Sequence, residues 1–124
     1  MLSAIVLLTS PVLGSAAEVN APMDRSLQIA FEYQAANLDC LYEIEDRIKA
    51  ALEISGGAVL DGDLISTDRK QGSLYLFATD GHVTLETIMP ILSSASCLTH
   101  VVAAVSLGPI ADPGSKMEMI AITP

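Results

Sequence analysis

Hydrophobic and polar side chains alternate over residues 26–34, whose sequence is SLQIAFEYQ. The large apolar members of this stretch are Leu27, Ile29, Phe31 and Tyr33. Successive side chains of an extended chain point to opposite sides, so all four fall on one side. The pattern predicts a β-strand with one buried face and with Gln28, Ala30 and Glu32 on the other face.

Two further apolar stretches, residues 58–66 and 73–79, enclose a polar segment that ends in Gly72. A polar loop of this length ending in glycine is typical of an antiparallel hairpin, so the two stretches are predicted to pair as strands. Residues 61–63 (Asp-Gly-Asp) interrupt the first stretch, and a glycine within a strand indicates a bulge.

An apolar stripe with helical spacing runs through residues 38–54. Its members are Leu41, Ile44, Ile48, Ala51 and Leu52. We expect a helix here, with Asn37 as its N-cap and with the two glycines that follow ending it. Glu45 and Lys49 have the i, i+4 spacing and the order of a favourable ion pair.

A second helix is predicted over residues 81–95, with Asp80 as its N-cap. Pro90 lies in its middle and lacks the N–H that a helix needs, so a kink is expected there. A long strand is predicted at residues 99–107, and residues 116–122 could add a short edge strand.

The predicted order of elements is therefore β-α-β-β-α-β, followed by an optional last strand. The usual packing of this order is the ferredoxin-like sandwich, an α+β fold. In it a four-stranded antiparallel sheet carries both helices on one face. We expect a single domain of this kind over residues 26–124, with the other face of the sheet open to solvent or to a partner.

Residues 1–17 (MLSAIVLLTSPVLGSAA) carry no charge and are largely apolar. The small residues Ser15 and Ala17 stand at the two positions that a signal peptidase reads, which predicts a secretory signal peptide cut after Ala17. No basic residue precedes the apolar run, and the alternative is a buried element of a cytosolic domain. Residues 18–25 are polar, contain a proline and predict a linker.

Export would place the mature chain in the periplasm or outside the cell, whereas a chain without a signal peptide would be cytoplasmic. No apolar run reaches the length of a membrane-spanning helix, so none is expected in the mature chain.

The chain of 124 residues carries 15 acidic and 6 basic residues, a formal net charge of −9. Such a field repels phosphate backbones, so nucleic acid is not expected as a partner. A protein partner or a second copy of the chain is expected instead.

Cys40 and Cys97 are the two cysteines of the chain. Helices in a ferredoxin-like layer run antiparallel, which places the start of the first helix and the end of the second at the same end of the molecule. A disulfide is then allowed if the two Cα atoms come within about 7 Å. The alternatives are two buried thiols, or a metal or redox site formed by both cysteines and His100.

Motifs of known catalytic chemistry are missing from the sequence: no Gly-x-Ser-x-Gly, Walker loop or Gly-x-Gly-x-x-Gly occurs. The first loop, residues 34–37, has no arginine to grip a phosphate, as acylphosphatases of this fold require. Cys-x-x-Cys, which copper chaperones of this fold require, does not occur either. A hydrolase that uses Asp61, Asp63 or His82 is the weakest alternative, and no cofactor is predicted.

A pattern of turn, cap and strand residues extends over about residues 41–109, together with a charged first helix. Its positions are Gly57, Val59, Leu60, Asp61, Gly62, Gly72, Leu74, Leu76, Phe77, Asp80, Pro90, Gly108 and Pro109. This pattern resembles a family of small, uncharacterised bacterial proteins. The resemblance implies a ferredoxin-like fold and implies no chemistry, and the signal-like N-terminus departs from the mostly cytosolic family.

The leading functional hypothesis is a non-enzymatic, exported domain that acts by binding. Tyr75 and Phe77 alternate with Leu74 and Leu76, so one of the two pairs must lie on the open face. The candidate interaction face is formed by Tyr75, Phe77, Gln28 and Glu32. The second hypothesis is a regulator that binds a small molecule or a metal at Cys40, Cys97 and His100.

Overall fold

The structure, a computed structural model, describes residues 23–123. Its elements in chain order are β1 (Arg25–Tyr33), α1 (Asp39–Ser55), β2 (Ala58–Ile65), β3 (Gln71–Ala78), α2 (Gly81–Ser93), β4 (Leu98–Ser106) and β5 (Met117–Ile122). The predicted signal peptide and most of the predicted linker lie outside the described residues. Arg25, assigned to the linker from sequence, is the first residue of β1.

The strands form one antiparallel sheet in the order β2-β3-β1-β4-β5. The chain is therefore an α+β protein with a five-stranded sheet and two described helices. The optional last strand is present and pairs with β4, so the sheet has five strands and not four. Two register shifts mark β-bulges, one in β2 between Leu60 and Gly62 and one in β4 between Thr99 and Val102, opposite Ala30 and Glu32 of β1.

The core lies between the two helices and one face of the sheet. The helices pack against each other and against that face. The predicted buried face of β1 is confirmed, because all four of its large apolar side chains are buried. In α1 the predicted stripe is buried except for Ala51, which is half-buried. From β3 the core receives Leu74, Leu76 and Ala78.

The two predicted helix N-caps have different outcomes. Asp80 is confirmed as the N-cap of α2, since its carboxylate accepts the N–H groups of His82 and Val83 at 3.0 and 3.2 Å. The prediction for α1 is wrong by one residue: Leu38 holds the N-cap position and makes no side-chain cap. Asn37 instead accepts the N–H of Asp39 at 3.0 Å from outside the helix.

Glycine ends α1 as predicted. Gly56 has a φ of +72°, in the left-handed region that favours glycine, and its N–H donates to the carbonyl of Leu52 at 2.8 Å. Pro90 lies on the exposed side of α2, whose helical assignment is continuous. The kink expected at Pro90 therefore stays a prediction. Within residues 23–123, neither helix combines the length and hydropathy needed to cross a bilayer.

Candidate functional site: the open face of the sheet

The face of the sheet opposite the helices, here called the open face, is not covered by any helix or strand within residues 23–123. Alternation and strand register assign its residues. They are Val59 and Leu64 from β2; Ser73, Tyr75 and Phe77 from β3; Gln28, Ala30 and Glu32 from β1; Val102 and Ala104 from β4; and Met117, Met119 and Ala121 from β5. All four residues of the predicted interaction face lie here, on adjacent strands.

The two edges of the open face are apolar. Leu64 on β2 is 65% exposed and Met119 on β5 is 67% exposed. Val59 and Met117 stand on the same two edge strands and are also exposed. Exposed large side chains occur singly on most surfaces, but several on one uncovered face are typical of an interaction site.

The centre of the open face is uncharged and polar. Gln28 on β1 lies beside Tyr75 on β3 in the strand register. Its amide donates to the hydroxyl groups of Ser73 and Tyr75 over 3.4 and 3.5 Å. These long hydrogen bonds are weak, so the three side chains remain able to bond to another molecule.

One end of the open face carries a histidine–glutamate pair, His100 and Glu32. A carboxylate oxygen of Glu32 accepts from Nδ1 of His100 at 3.0 Å when that nitrogen carries a hydrogen. The pair lies where β1 and β4 shift register, and His100 has a φ of +52°, which is unusual for a residue other than glycine. The pair borders a shallow concavity of about 430 Å³ that Leu64 and Ser73 also line.

The cysteines lie away from the open face, at one end of the helix layer. Cys40 in the first turn of α1 and Cys97 just before β4 form a disulfide, with Cα atoms 6.5 Å apart. This separation is within the limit of about 7 Å that a disulfide allows. Sulfur atoms joined in this way are not thiolates, so they do not serve as metal ligands while the bond is intact.

The residues named for metal binding and hydrolysis are not brought together. Within residues 23–123, no group of three or more His, Cys, Asp and Glu side chains is placed to hold a metal ion. His82 pairs with Glu118 on β5 at 2.7 Å, whereas Asp61 and Asp63 lie on β2 at the opposite edge of the sheet. The geometry gives no support to a joint role for His82 and these aspartates.

Glu45 is a buried acid that the sequence patterns did not identify. Its predicted ion pair with Lys49 is wrong, since no such pair within 4.0 Å exists in the described part of the chain. Glu45 is instead 8% exposed and lies near Asp63 of β2. Burial first, and then the hydrogen bond and the charge of Asp63, raise the pKa of Glu45 to about 7.

Comparison of the chain with models of known families, with curated proteins and with solved structures found no match in any of the three. The resemblance to small bacterial proteins therefore stays a prediction. Evidence about function comes from the residues and their arrangement.

Proposed function

We propose that this chain is an exported, non-enzymatic interaction domain that associates with a second copy of itself through the open face. The observation that carries the proposal is the set of exposed apolar side chains at both edges of that face, on β2 and β5. We also infer that the fold is the ferredoxin-like sandwich extended by β5. The order of elements and the order β2-β3-β1-β4 support that inference.

The distribution of charge favours a contact between identical faces. The chain has a net charge of −9, yet the strands β1, β3 and β4 place one carboxylate, Glu32, on the open face. Glu32 is partly neutralised there by His100 when the ring is protonated. The repulsion between two copies therefore comes mainly from other surfaces, where water and salt screen it.

The size of the open face suits a dimer. Its strands contain six to nine residues each. With about 4.8 Å between strands and a rise of about 3.3 Å per residue, the face covers roughly 600 Å². Two such faces remove roughly 1,200 Å² from water, which is close to the lower limit for specific protein interfaces. Two sheets packed face to face are a common way to cover such surfaces.

Twofold symmetry allows the open face of one copy to pack against the open face of a second copy. A twofold axis that runs along β1, between the two sheets, would place the β2 edge of one copy over the β5 edge of the other. Leu64 and Val59 would then lie against Met117 and Met119, so apolar groups meet apolar groups. Gln28 on β1 would face its own counterpart, with donors and acceptors available on both sides, whereas its hydroxyl partners on β3 would lie over β4 of the other copy.

Light scattering coupled to size exclusion tests the association. We expect twice the mass of one chain at micromolar concentration, with the dimer strengthened by added salt because salt screens the like net charges. Met119→Glu and Leu64→Glu should each weaken dimerisation at least tenfold, because a buried unpaired carboxylate is strongly unfavourable.

Val83→Glu is the matched control for these two variants. It makes the same change in net charge at a side chain that is 56% exposed on α2, away from the open face. Dimerisation should be unchanged in this variant. A wild-type protein that is monomeric at high salt and high concentration would contradict the proposal, as would equal weakening by all three substitutions.

Export is supported by the disulfide, because such bonds persist in oxidising compartments and are rare in the cytosol. The sequence of residues 1–17 leads to the same conclusion. N-terminal sequencing of the protein recovered from its native source should give a mature start at Glu18. Protein that retains Met1 and accumulates inside the cell with reduced cysteines would exclude export.

A further inference from the structure

Glu45 lies among apolar side chains on the buried side of α1. It stands four residues after Leu41 and three before Ile48, both of which are completely buried. The Oε2 atom of Glu45 is inaccessible to water and has no hydrogen-bond donor within residues 23–123. A buried carboxylate in this situation is strongly unfavourable unless it is protonated or paired.

Asp63 of β2 is the neighbouring acid. In the strand register it lies opposite Leu74, whose side chain is buried, so Asp63 is on the side of the sheet that faces the helices. After burial, a hydrogen bond with Asp63 and then the charge of Asp63 are the next causes that raise the pKa of Glu45. Two ionised carboxylates have only acceptors, so this hydrogen bond exists only when one of the two acids carries a proton.

Few other charges act on Glu45. Asp46 and Lys49 on its own helix have opposite effects, which are smaller than those of burial and Asp63: the former raises its pKa and the latter lowers it. The buried side chains that β3 and α2 turn toward the helix–sheet interior are apolar or uncharged; they are Leu74, Leu76, Ala78, Thr84, Leu85, Ile88, Ile91 and Leu92. No cation replaces the proton, because Lys49 forms no ion pair within the described residues.

We propose that Glu45 and Asp63 share one proton and that the resulting hydrogen bond stabilises the packing of the edge strand β2 against helix α1. Strand β2 pairs with β3 alone, so its outer side has no neighbouring strand. The bulge at Leu60–Gly62 further interrupts its pairing just before Asp63. A hydrogen bond from α1 therefore stabilises the part of β2 that is least stabilised by its hydrogen bonds to β3. Loss of the proton leaves two like charges in contact and favours local opening of the strand.

The direction of the pH dependence follows from the pKa of Glu45. Its ordinary value is 4.5, and the folded protein raises it to about 7. The stabilisation of β2 by the shared proton is therefore complete below about pH 4.5 and is lost as the pH rises through about 7. Between pH 7.5 and 5.5, the hydrogen-exchange protection of the β2 amides should rise roughly tenfold or more.

Hydrogen exchange measured by NMR on the full chain tests this proposal. Protection factors, which already remove the intrinsic effect of pH on exchange, are compared at pH 7.5 and 5.5. The wild type should gain protection in β2 on acidification. Glu45→Gln should show high protection at both pH values, because its amide donates to Asp63 without titrating. Glu53→Gln, an exposed position on the same helix, should behave as the wild type.

Two histidine–glutamate pairs, His82–Glu118 and His100–Glu32, are also present on the sheet. Neither contains a residue of β2, and both are unchanged in Glu45→Gln, so this variant isolates the contribution of Glu45. A β2 pH dependence that persists in Glu45→Gln would overturn the proposal.

Direct titration of the Glu45 side-chain carboxyl by carbon-13 NMR gives an independent measurement. The wild-type midpoint should lie near 7, and Asp63→Asn should lower it because an amide can donate to the ionised acid. A wild-type midpoint near 4.5, or a midpoint unaffected by Asp63→Asn, would also overturn the proposal. Both measurements are made at a concentration where light scattering shows one oligomeric state, so they do not depend on dimerisation.

Discussion

The double variant Cys40→Ala/Cys97→Ala is expected to lose about 4 kcal/mol of unfolding free energy. The disulfide closes a loop with a sequence separation of 57 residues. In the chain-entropy model, a link of that span removes conformational freedom from the unfolded chain worth about 4 kcal/mol at 25 °C. Small domains have a total stability of about 5–15 kcal/mol, so this one bond can account for a large share.

Urea unfolding followed by circular dichroism measures the effect. The double variant should unfold at lower urea, and its m-value should be larger, because an unlinked unfolded chain exposes more surface. Oxidised wild type and wild type kept in a reducing agent provide the comparison, since they differ in the bond and not in sequence. Equal midpoints for these two wild-type samples would contradict the expected role of the bond.

This dependence connects stability with location. A chain that derives so much stability from one disulfide would be marginal in the reducing cytosol and stable after export. Cys97 is buried and its carbonyl accepts the N–H of Gln34 at 2.8 Å, which ties the end of β1 to the same region. Loss of the bond should therefore loosen the start of α1 and the end of β1 first.

Periodicity predicted most of the fold because one face of each element is buried. The alternation in β1 places Phe31 and Tyr33 in the core, and both are 4% exposed. The optional strand at residues 116–122 was harder to predict, because only its last residue, Ile122, is buried. An edge strand has a weaker hydrophobic signal than a central strand, since it covers less of the core.

Features that depend on tertiary neighbours could be predicted only in part. The disulfide was among the alternatives because the expected helix packing brings its two ends together. The contact between Glu32 and His100 depends on the pairing of β1 with β4 and on a bulge, neither of which local sequence specifies. Contacts of this kind are determined by register and not by propensity.

Glu45 shows where a signal existed and was misinterpreted. Its spacing from Leu41 and Ile48 places it on the apolar stripe of α1, where a glutamate is unusual. The i, i+4 spacing to Lys49 predicts an ion pair instead. A charged residue on the buried stripe of a helix is therefore better treated first as a candidate buried acid, and only then as half of a surface pair.

Leu76→Ala and Tyr75→Ala test which side of β3 faces the core, since the two residues are neighbours on opposite faces. Leu76 is 1% exposed, and its truncation should cost 2–5 kcal/mol, about the usual range for a core leucine. Tyr75 is half-buried on the open face, so Tyr75→Ala should cost less than about 1.5 kcal/mol in the monomer. Urea unfolding at a concentration where light scattering shows monomer measures both.

The two variants should also separate stability from association. Tyr75→Ala removes a large side chain from the proposed contact and should weaken dimerisation about tenfold or more, because aromatic residues near the centre of an interface commonly contribute most of its binding energy. Leu76→Ala, measured where it is still fully folded, should dimerise as the wild type does, because its side chain does not reach the open face. Equal losses of stability in both variants would mean that the face of Tyr75 is covered in the folded monomer, and the proposed dimer surface would then not exist.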